Sequence, residues 1–153
     1  MNAAIESMTT LNKYAAEVCR DFEIHACTDV TGFSFLGHLH EMMDGKFSCI
    51  IYAGNVPVFP EALEYADEFL LTAAGQRNRN FTEPFVRFED MPFAMQEVLL
   101  DPQTSGGLLI AVSKADAQIL LKRLRDIGLP ANMVGEILEP SDTEIRVVNT
   151  VCK

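Results

Sequence analysis

The sequence predicts a layered α+β domain built on a mixed β-sheet. Helical and strand-type patterns succeed one another in the order αβαβα(β)αβαββ, with no internal repeat and no low-complexity linker. The 153 residues fit one domain, expected to run from residue 1 to 153. A chain of that size buries about 68 to 70% of its unfolded surface and needs no disulfide framework.

Taken in order, Ile5, Met8, Leu11, Ala15, Val18 and Phe22 alternate steps of three and four, predicting one amphipathic first helix. Glu23 to Thr28 is short and β-prone. Asp29 and Thr31 are N-cap types, and Phe33, Leu36, His40 and Met43 recur at helical spacing, giving strand, tight turn, helix. Asp44-Gly45 stops that helix, and Phe47 to Ala53 reads as a buried strand. After the turn-rich Gly54 to Pro60, a helix is expected to about Leu71, with Pro60 in its first turn. Its acidic residues Glu61, Glu64, Asp67 and Glu68 form a solvated face opposite Ala62, Leu63, Ala66, Phe69 and Leu70.

Thr72 to Asn80 lacks hydrophobic periodicity and reads as a loop, in which Arg77 and Arg79 could hold an anion or simply be solvated. A short strand near Phe85 to Phe88 and a helix from Pro92 to Leu100 follow. Leu108 to Val112 is an apolar strand. Ser113 with Asp116 three residues on opens the clearest helix, with Ala117, Leu120, Leu121, Leu124 and Ile127 as its stripe and Gly128 and Pro130 as its stop. Two strands near Asn132 to Ile137 and Glu144 to Val148 end the pattern.

Two stretches concentrate the polar and glycine signals. In the first, Ala26 to Leu39, a strand ends in a turn that places the Asp29 carboxylate beside free backbone N–H groups, where hydrated metal ions and anions bind; the same Asp could serve only as a helix cap. Gly32 and Gly37 bracket four residues as in a phosphate loop, but His38 stands where that motif needs Lys, so a Walker-type site is not expected. In the second, Asp101 to Leu109, a Pro turn, hydrogen-bonding side chains and two glycines precede the strand, suiting either ordinary turns or backbone approach to a ligand.

Composition narrows the function classes. With 22 acidic against 12 basic residues the net charge is −10, which repels a phosphate backbone, so nucleic acid is not an expected partner. Mg²⁺ between a carboxylate and a phosphate would still allow an anionic substrate. None of the four cysteines forms a C-x-x-C pair, and reduced thiols in a cytoplasm are the simplest account. No apolar run is long enough to span a bilayer, and the first residues lack a basic n-region with an apolar h-region, so a soluble protein is expected.

T-D-V-T-G-F-S-F-L-G-H-L at Thr28 to Leu39 and D-P-Q-T-S-G-G-L-L at Asp101 to Leu109 resemble the signatures of the C-terminal half of the selenophosphate synthetase (selenide, water dikinase) family. The likeness runs from about residue 4 to 148. Ser34 replaces the family's usual glycine and Phe35 its usual leucine. The resemblance implies a three-layer α/β/α domain of the aminoimidazole ribonucleotide synthetase C-terminal type, partly ferredoxin-like. It implies an enzyme that converts ATP, selenide and water into selenophosphate, AMP and phosphate, using Mg²⁺. Asp29 matches the one aspartate this half supplies to the Mg²⁺ set, and Thr28, Thr31, Gly32, Asp101, Gln103, Thr104 and Ser105 are the implied nucleotide-side residues. The catalytic Cys or selenocysteine, the Lys and the remaining aspartates belong to an N-terminal half, the expected partner alongside a second copy in a homodimer. The chain therefore reads as one domain of a larger enzyme, catalytically incompetent alone, in which no residue is itself the catalyst.

Two other classes compete. His25, Cys27 and Asp29 alternate along a strand and would share one face, as in a stand-alone zinc enzyme. A non-catalytic interaction domain is the other, against which stands the intact polar block Asp101 to Ser105.

Overall fold

A computed structural model describes residues 2–150; Met1 and Cys152 lie outside the described residues. In chain order the elements are α1 (Asn2–Thr9), α2 (Lys13–Cys19), β1 (Ile24–Asp29), α3 (Ser34–Met43), β2 (Ser48–Tyr52), α4 (Pro60–Asp67), α5 (Ala73–Thr82), β3 (Val86–Glu89), α6 (Phe93–Leu100), β4 (Leu108–Val112), α7 (Lys114–Asp126), β5 (Gly135–Leu138) and β6 (Ile145–Val148). The fold is α+β, as expected. Its mixed sheet has four strands in the order β3-β6-β2-β5, parallel at β3/β6 and β6/β2 and antiparallel at β2/β5. β1 and β4 form a separate antiparallel ladder.

Each sheet organises its own core. Leu36, Leu39 and Met43 of α3 and Leu99 and Leu100 of α6 pack with Cys49, Ile51, Ile145 and Val147 of the central strands β2 and β6. Beneath the ladder, Ala15, Val18 and Cys19 of α2 meet Leu120 and Leu124 of α7. The strand β4 serves both cores through the two-residue period of a strand: Leu109 enters the larger one, while Leu108, Ile110 and Val112 face the smaller. At Gly135 a Cβ would sit 2.3 Å from the Ile50 carbonyl oxygen, so only glycine lets β5 close on β2.

Three expectations are corrected. The single first helix is two, with α1 ending at Thr9 and α2 beginning at Lys13, and the Thr9 and Thr10 hydroxyls bond back to the Ile5 and Glu6 carbonyls at the break; Ile5, Met8 and Leu11 are exposed and no part of a buried stripe. The helix α4 stops at Asp67 and not near Leu71, since Phe69 turns left-handed (φ 60°), and Phe69 and Leu70 are exposed although the pattern put them on the apolar face. Thr72 to Asn80 is no loop. It forms most of α5, capped by the Thr72 hydroxyl, which accepts from the Gly75 N–H at 2.9 Å. Among the described residues no helix is long and apolar enough to cross a membrane.

Candidate functional site

The two polar blocks meet where the ladder ends. In the β1–β4 register Asp29 stands opposite Leu108 and Thr28 opposite Leu109. Beyond the ladder the pairing continues irregularly: the Val30 N–H donates to Gly107 O (3.0 Å) and the Gln103 N–H to Thr31 O (2.9 Å). A Cβ at Gly106 would lie 2.1 Å from the Val30 carbonyl oxygen, so the glycine is what allows the second block to pass against the first. From outside, the Asn12 amide donates to Gly106 O at 3.0 Å.

Asp29 is not a helix cap. It is the last residue of β1, the residue before α3 is Phe33, and no side chain caps that helix. The Asp29 carboxylate is exposed and makes no hydrogen bond or ion pair among the described residues. Asp101, by contrast, is already engaged: its Oδ1 accepts from the Thr72 hydroxyl at 2.7 Å, fixing the start of α5 to the second block. Gln103 donates to the Asp101 carbonyl, and Thr104 and Ser105 are exposed, with Ser105 left-handed at φ 55°. The Thr28 hydroxyl turns to the Asp29 carbonyl (3.3 Å).

Thr31 and Gly32 open onto a cavity of about 600 Å³ lined also by Phe33, His38, Ala74, Arg77, Asn78 and Phe81. Its floor is pinned by the buried Asn78, whose amide donates to both Gly32 O (3.1 Å) and Leu100 O (3.0 Å), tying turn, α5 and α6 together. Beside the cavity runs a chain that sequence reasoning missed. His38 Nε2 lies 3.0 Å from the Thr31 hydroxyl and 3.4 Å from the Phe33 N–H, while Nδ1 lies 3.0 Å from Glu41 Oε2. A neutral imidazole protonated on Nδ1 satisfies all three contacts. The His-x-x-Glu spacing, one helical turn, was the available signal.

Arg77 and Arg79, which in a loop could hold an anion or simply be solvated, stand instead on helix α5 and have different surroundings. Arg79 is spent on the buried Glu97: its Nε donates to Oε1 at 2.8 Å, a second bond comes from Nη2, and Gln76 donates to Oε2 at 3.0 Å. Arg77 is exposed at the cavity and makes no hydrogen bond or ion pair among the described residues.

The zinc-type constellation does not form. A register shift between Ile24 and Ala26 takes His25 out of the regular ladder, leaving Cys27 and Asp29 in register opposite Ile110 and Leu108. No group of three His, Cys, Asp or Glu side chains that could hold a metal exists among the described residues. Burial, and then the neighbouring Asp29, raise the Cys27 thiol above its ordinary range, the opposite of what activates a nucleophilic thiol.

Comparison with known proteins is consistent with this architecture. The family described as AIR synthase related protein, C-terminal domain, matches residues 4–148. Proteins named selenide, water dikinase are similar throughout: that of Agathobacter rectalis is 54% identical over 145 residues, covering 94% of this chain and 42% of the relative. That of Desulfitobacterium hafniense is 50% identical, covering 95% and 43%, and that of Pelobacter propionicus is 48% identical, covering 88% and 40%. The chain thus spans about two fifths of the length of the curated relatives it matches.

Proposed function

We propose, from the premise that this chain belongs to the AIR synthase related C-terminal domain family, that it serves as the C-terminal domain of a selenide, water dikinase. The complete enzyme would make selenophosphate from selenide, ATP and water, releasing AMP and phosphate, in the cytoplasm and as a homodimer. The N-terminal domain of the same enzyme would carry the nucleophile. The observation that supports this role is the Asp29 carboxylate, exposed and unpartnered where the two polar blocks converge.

A free carboxylate oxygen is the hard donor that Mg²⁺ takes, so the residue fits the ion; one such donor does not make a site, and the remaining ligands would come from the N-terminal domain. Mg²⁺ bound there would neutralise phosphate charge during transfer. This domain's own contribution is positional. The Val30–Gly107 and Gln103–Thr31 bonds hold Asp29 at a fixed strand end, Asp101 anchors α5 through Thr72, and Thr31, Gly32, Gln103, Thr104 and Ser105 wall the nucleotide side.

The test is Asp29→Asn in the complete enzyme, which keeps the size and removes the charge. AMP formation should fall at least ~100-fold, the scale of a lost electrostatic contact at a reacting centre. Melting temperature should stay within a few degrees, because the carboxylate holds nothing in the fold. Retained turnover would sink the assignment. The 153-residue chain alone should show no selenide-dependent AMP formation and at best millimolar Mg²⁺-ATP binding by calorimetry.

A further inference from the structure

Three features that cost the free domain stability meet on one face of the helix pair α4 and α6. Phe69 follows α4 in the left-handed region at φ 60°, a conformation suited to glycine, yet its side chain is 73% exposed and its one ring contact among the described residues is with the exposed Phe93, 5.4 Å between centroids. The Leu70 N–H bonds back to Tyr65 O at 2.9 Å, which sets Leu70, 64% exposed, beside the exposed Tyr65. Along the same helix Glu61, Glu64, Asp67 and Glu68 are all exposed, repel one another at spacings of three and four, and crowd the negative end of the helix dipole. None of the four makes an ion pair among the described residues. No Lys or Arg occurs at positions 47–76 or 88–113, so neither α4 nor α6 carries a cation. Apolar exposure, backbone strain and unanswered charge on one surface are what a docking face shows when its partner is away.

We infer that this face, Tyr65, Phe69, Leu70 and Phe93 with the acidic edge of α4, is where the N-terminal domain of the complete enzyme docks, through an apolar segment rimmed by Lys or Arg. The inference rests on the reading of this chain as one domain of a selenide, water dikinase, and adds to it the surface and its chemistry. Three observations select this occupant. More than half of each curated relative lies outside the part matched here, so a domain's worth of surface is missing from the structure. The face borders the candidate site: Leu70 stands two residues before Thr72, whose hydroxyl donates to Asp101 Oδ1 at 2.7 Å, and the same polar block bonds the Thr31 carbonyl through the Gln103 N–H. Charge selects a cationic rim and disfavours the other occupants, since a second copy would set one row of carboxylates against another and anionic lipid would meet the same repulsion.

Hydroxyl-radical footprinting of the isolated chain and of the complete enzyme reads the exposure of these side chains directly. Oxidation of Tyr65, Phe69, Leu70 and Phe93 should be at least ~5-fold slower in the complete enzyme, as exposed side chains become the core of an interface. Equal rates in the two proteins would overturn the inference. So would slowing in the isolated chain as its concentration rises, with a dimer in sedimentation, because a second copy would then be the occupant. Glu64→Lys turns like-charged pairs with Glu61, Asp67 and Glu68 into opposite ones, so the isolated variant should melt no lower than the parent. In the complete enzyme the same change sets like charge against the rim and should speed oxidation of Phe69 and Phe93 at least ~2-fold over the parent enzyme. Undiminished protection in that variant would remove the cationic rim. Footprinting reads exposure while AMP formation reads chemistry, so the two readings fail separately. Slowed oxidation alongside a fully active Asp29→Asn enzyme keeps the docking face and sinks the metal role, and equal oxidation alongside an inactive one does the reverse.

Discussion

The larger core and the smaller one differ in what they bury besides hydrocarbon. Among the described residues the buried polar side chains, Ser34, His38, Ser48, Asn78, Thr82 and Glu97, all lie on α3, β2, α5 or α6, around the four-stranded sheet. None lies on α2, β1, β4 or α7. Apolar contacts tolerate sliding, whereas a buried hydrogen bond is satisfied in one geometry and costly in others. The larger half is thus tied by directional bonds, with Asn78 joining the Gly32 turn to the end of α6 and Thr72 joining α5 to Asp101. The ladder half is held by five buried apolar residues and presents Asp29 at its free end. Shape belongs to one half and the proposed metal contact to the other.

The contrast is broken most directly by truncating one leucine in each core. Leu100 is 0% exposed and packs between α6 and the central strands; Leu120 is 4% exposed in the smaller cluster. Leu100→Ala should cost about 4 kcal/mol and Leu120→Ala about 2.5 kcal/mol, toward the two ends of the observed range, because the thinner core can collapse around its gap. Urea unfolding of both variants measures this. Equal losses would mean that the ladder half is as tightly packed as the other.

Arg79→Ala is expected to cost about 3 kcal/mol by the same assay, since it strands the buried Glu97 carboxylate with only Gln76 as a donor. Glu97→Gln should cost less, because the amide oxygen still accepts from Arg79 and no charge is left buried. A reversed order would mean that the carboxylate's charge is itself required there.

Thiol labelling sharpens the comparison further. Cys27 is exposed on the ladder, Cys19 sits in the smaller core, and Cys49, 1% exposed in β2, has its thiol pushed up to about 12 by burial, with Glu144 adding to it. In a Cys152→Ser background at mildly alkaline pH, Cys27 should react first, Cys19 next through local opening of α2 from α7, and Cys49 only on global unfolding. Cys19 and Cys49 reacting at one rate would show that the two cores open together.

How much of this was legible in the sequence follows from the same division. The helix α7 was visible down to its cap: Ser113 Oγ accepts from the Asp116 N–H at 3.2 Å, as the spacing implied, and β4 was found at its observed bounds. Both rest on hydrophobic period and capping, which are local. The helix α5 was invisible because its buried stripe is Gly75, Asn78 and Thr82, a helical spacing written in small and polar residues that a hydrophobic reading passes over. The break at Thr10 was missed for the opposite reason: Ile5, Met8 and Leu11 carry the right period yet have nothing to pack on. At the site, the meeting of the two blocks was implied only by resemblance, since 72 positions separate Thr31 from Gln103 and only the folded chain forms their bond. The Glu41–His38–Thr31 chain was local enough to see. Its signal is one helical turn from His38 to Glu41, with the Thr31 hydroxyl seven residues before the imidazole.

The smallest expected effect concerns Ser34. Ser34 opens α3 with φ 68°, in the left-handed region, while its side chain is fully buried and accepts only a long bond, 3.4 Å, from the Gly37 N–H. An L-residue in that conformation costs about 1 to 2 kcal/mol relative to glycine. Against the relief stand the greater unfolded-state freedom of glycine, about 0.4 to 1 kcal/mol, and the loss of the weak hydroxyl contact. Ser34→Gly should therefore be stabilising by about 0.5 kcal/mol, a rise of roughly 1 to 3 °C in melting temperature for a domain of this size. Ser34→Ala separates the two contributions, since it removes the hydroxyl and keeps the Cβ that makes the backbone strained. The alanine variant should melt below the parent and the glycine variant above it. Alanine melting as high as glycine would mean that the left-handed turn carries no strain, and that the buried hydroxyl is what the larger core loses.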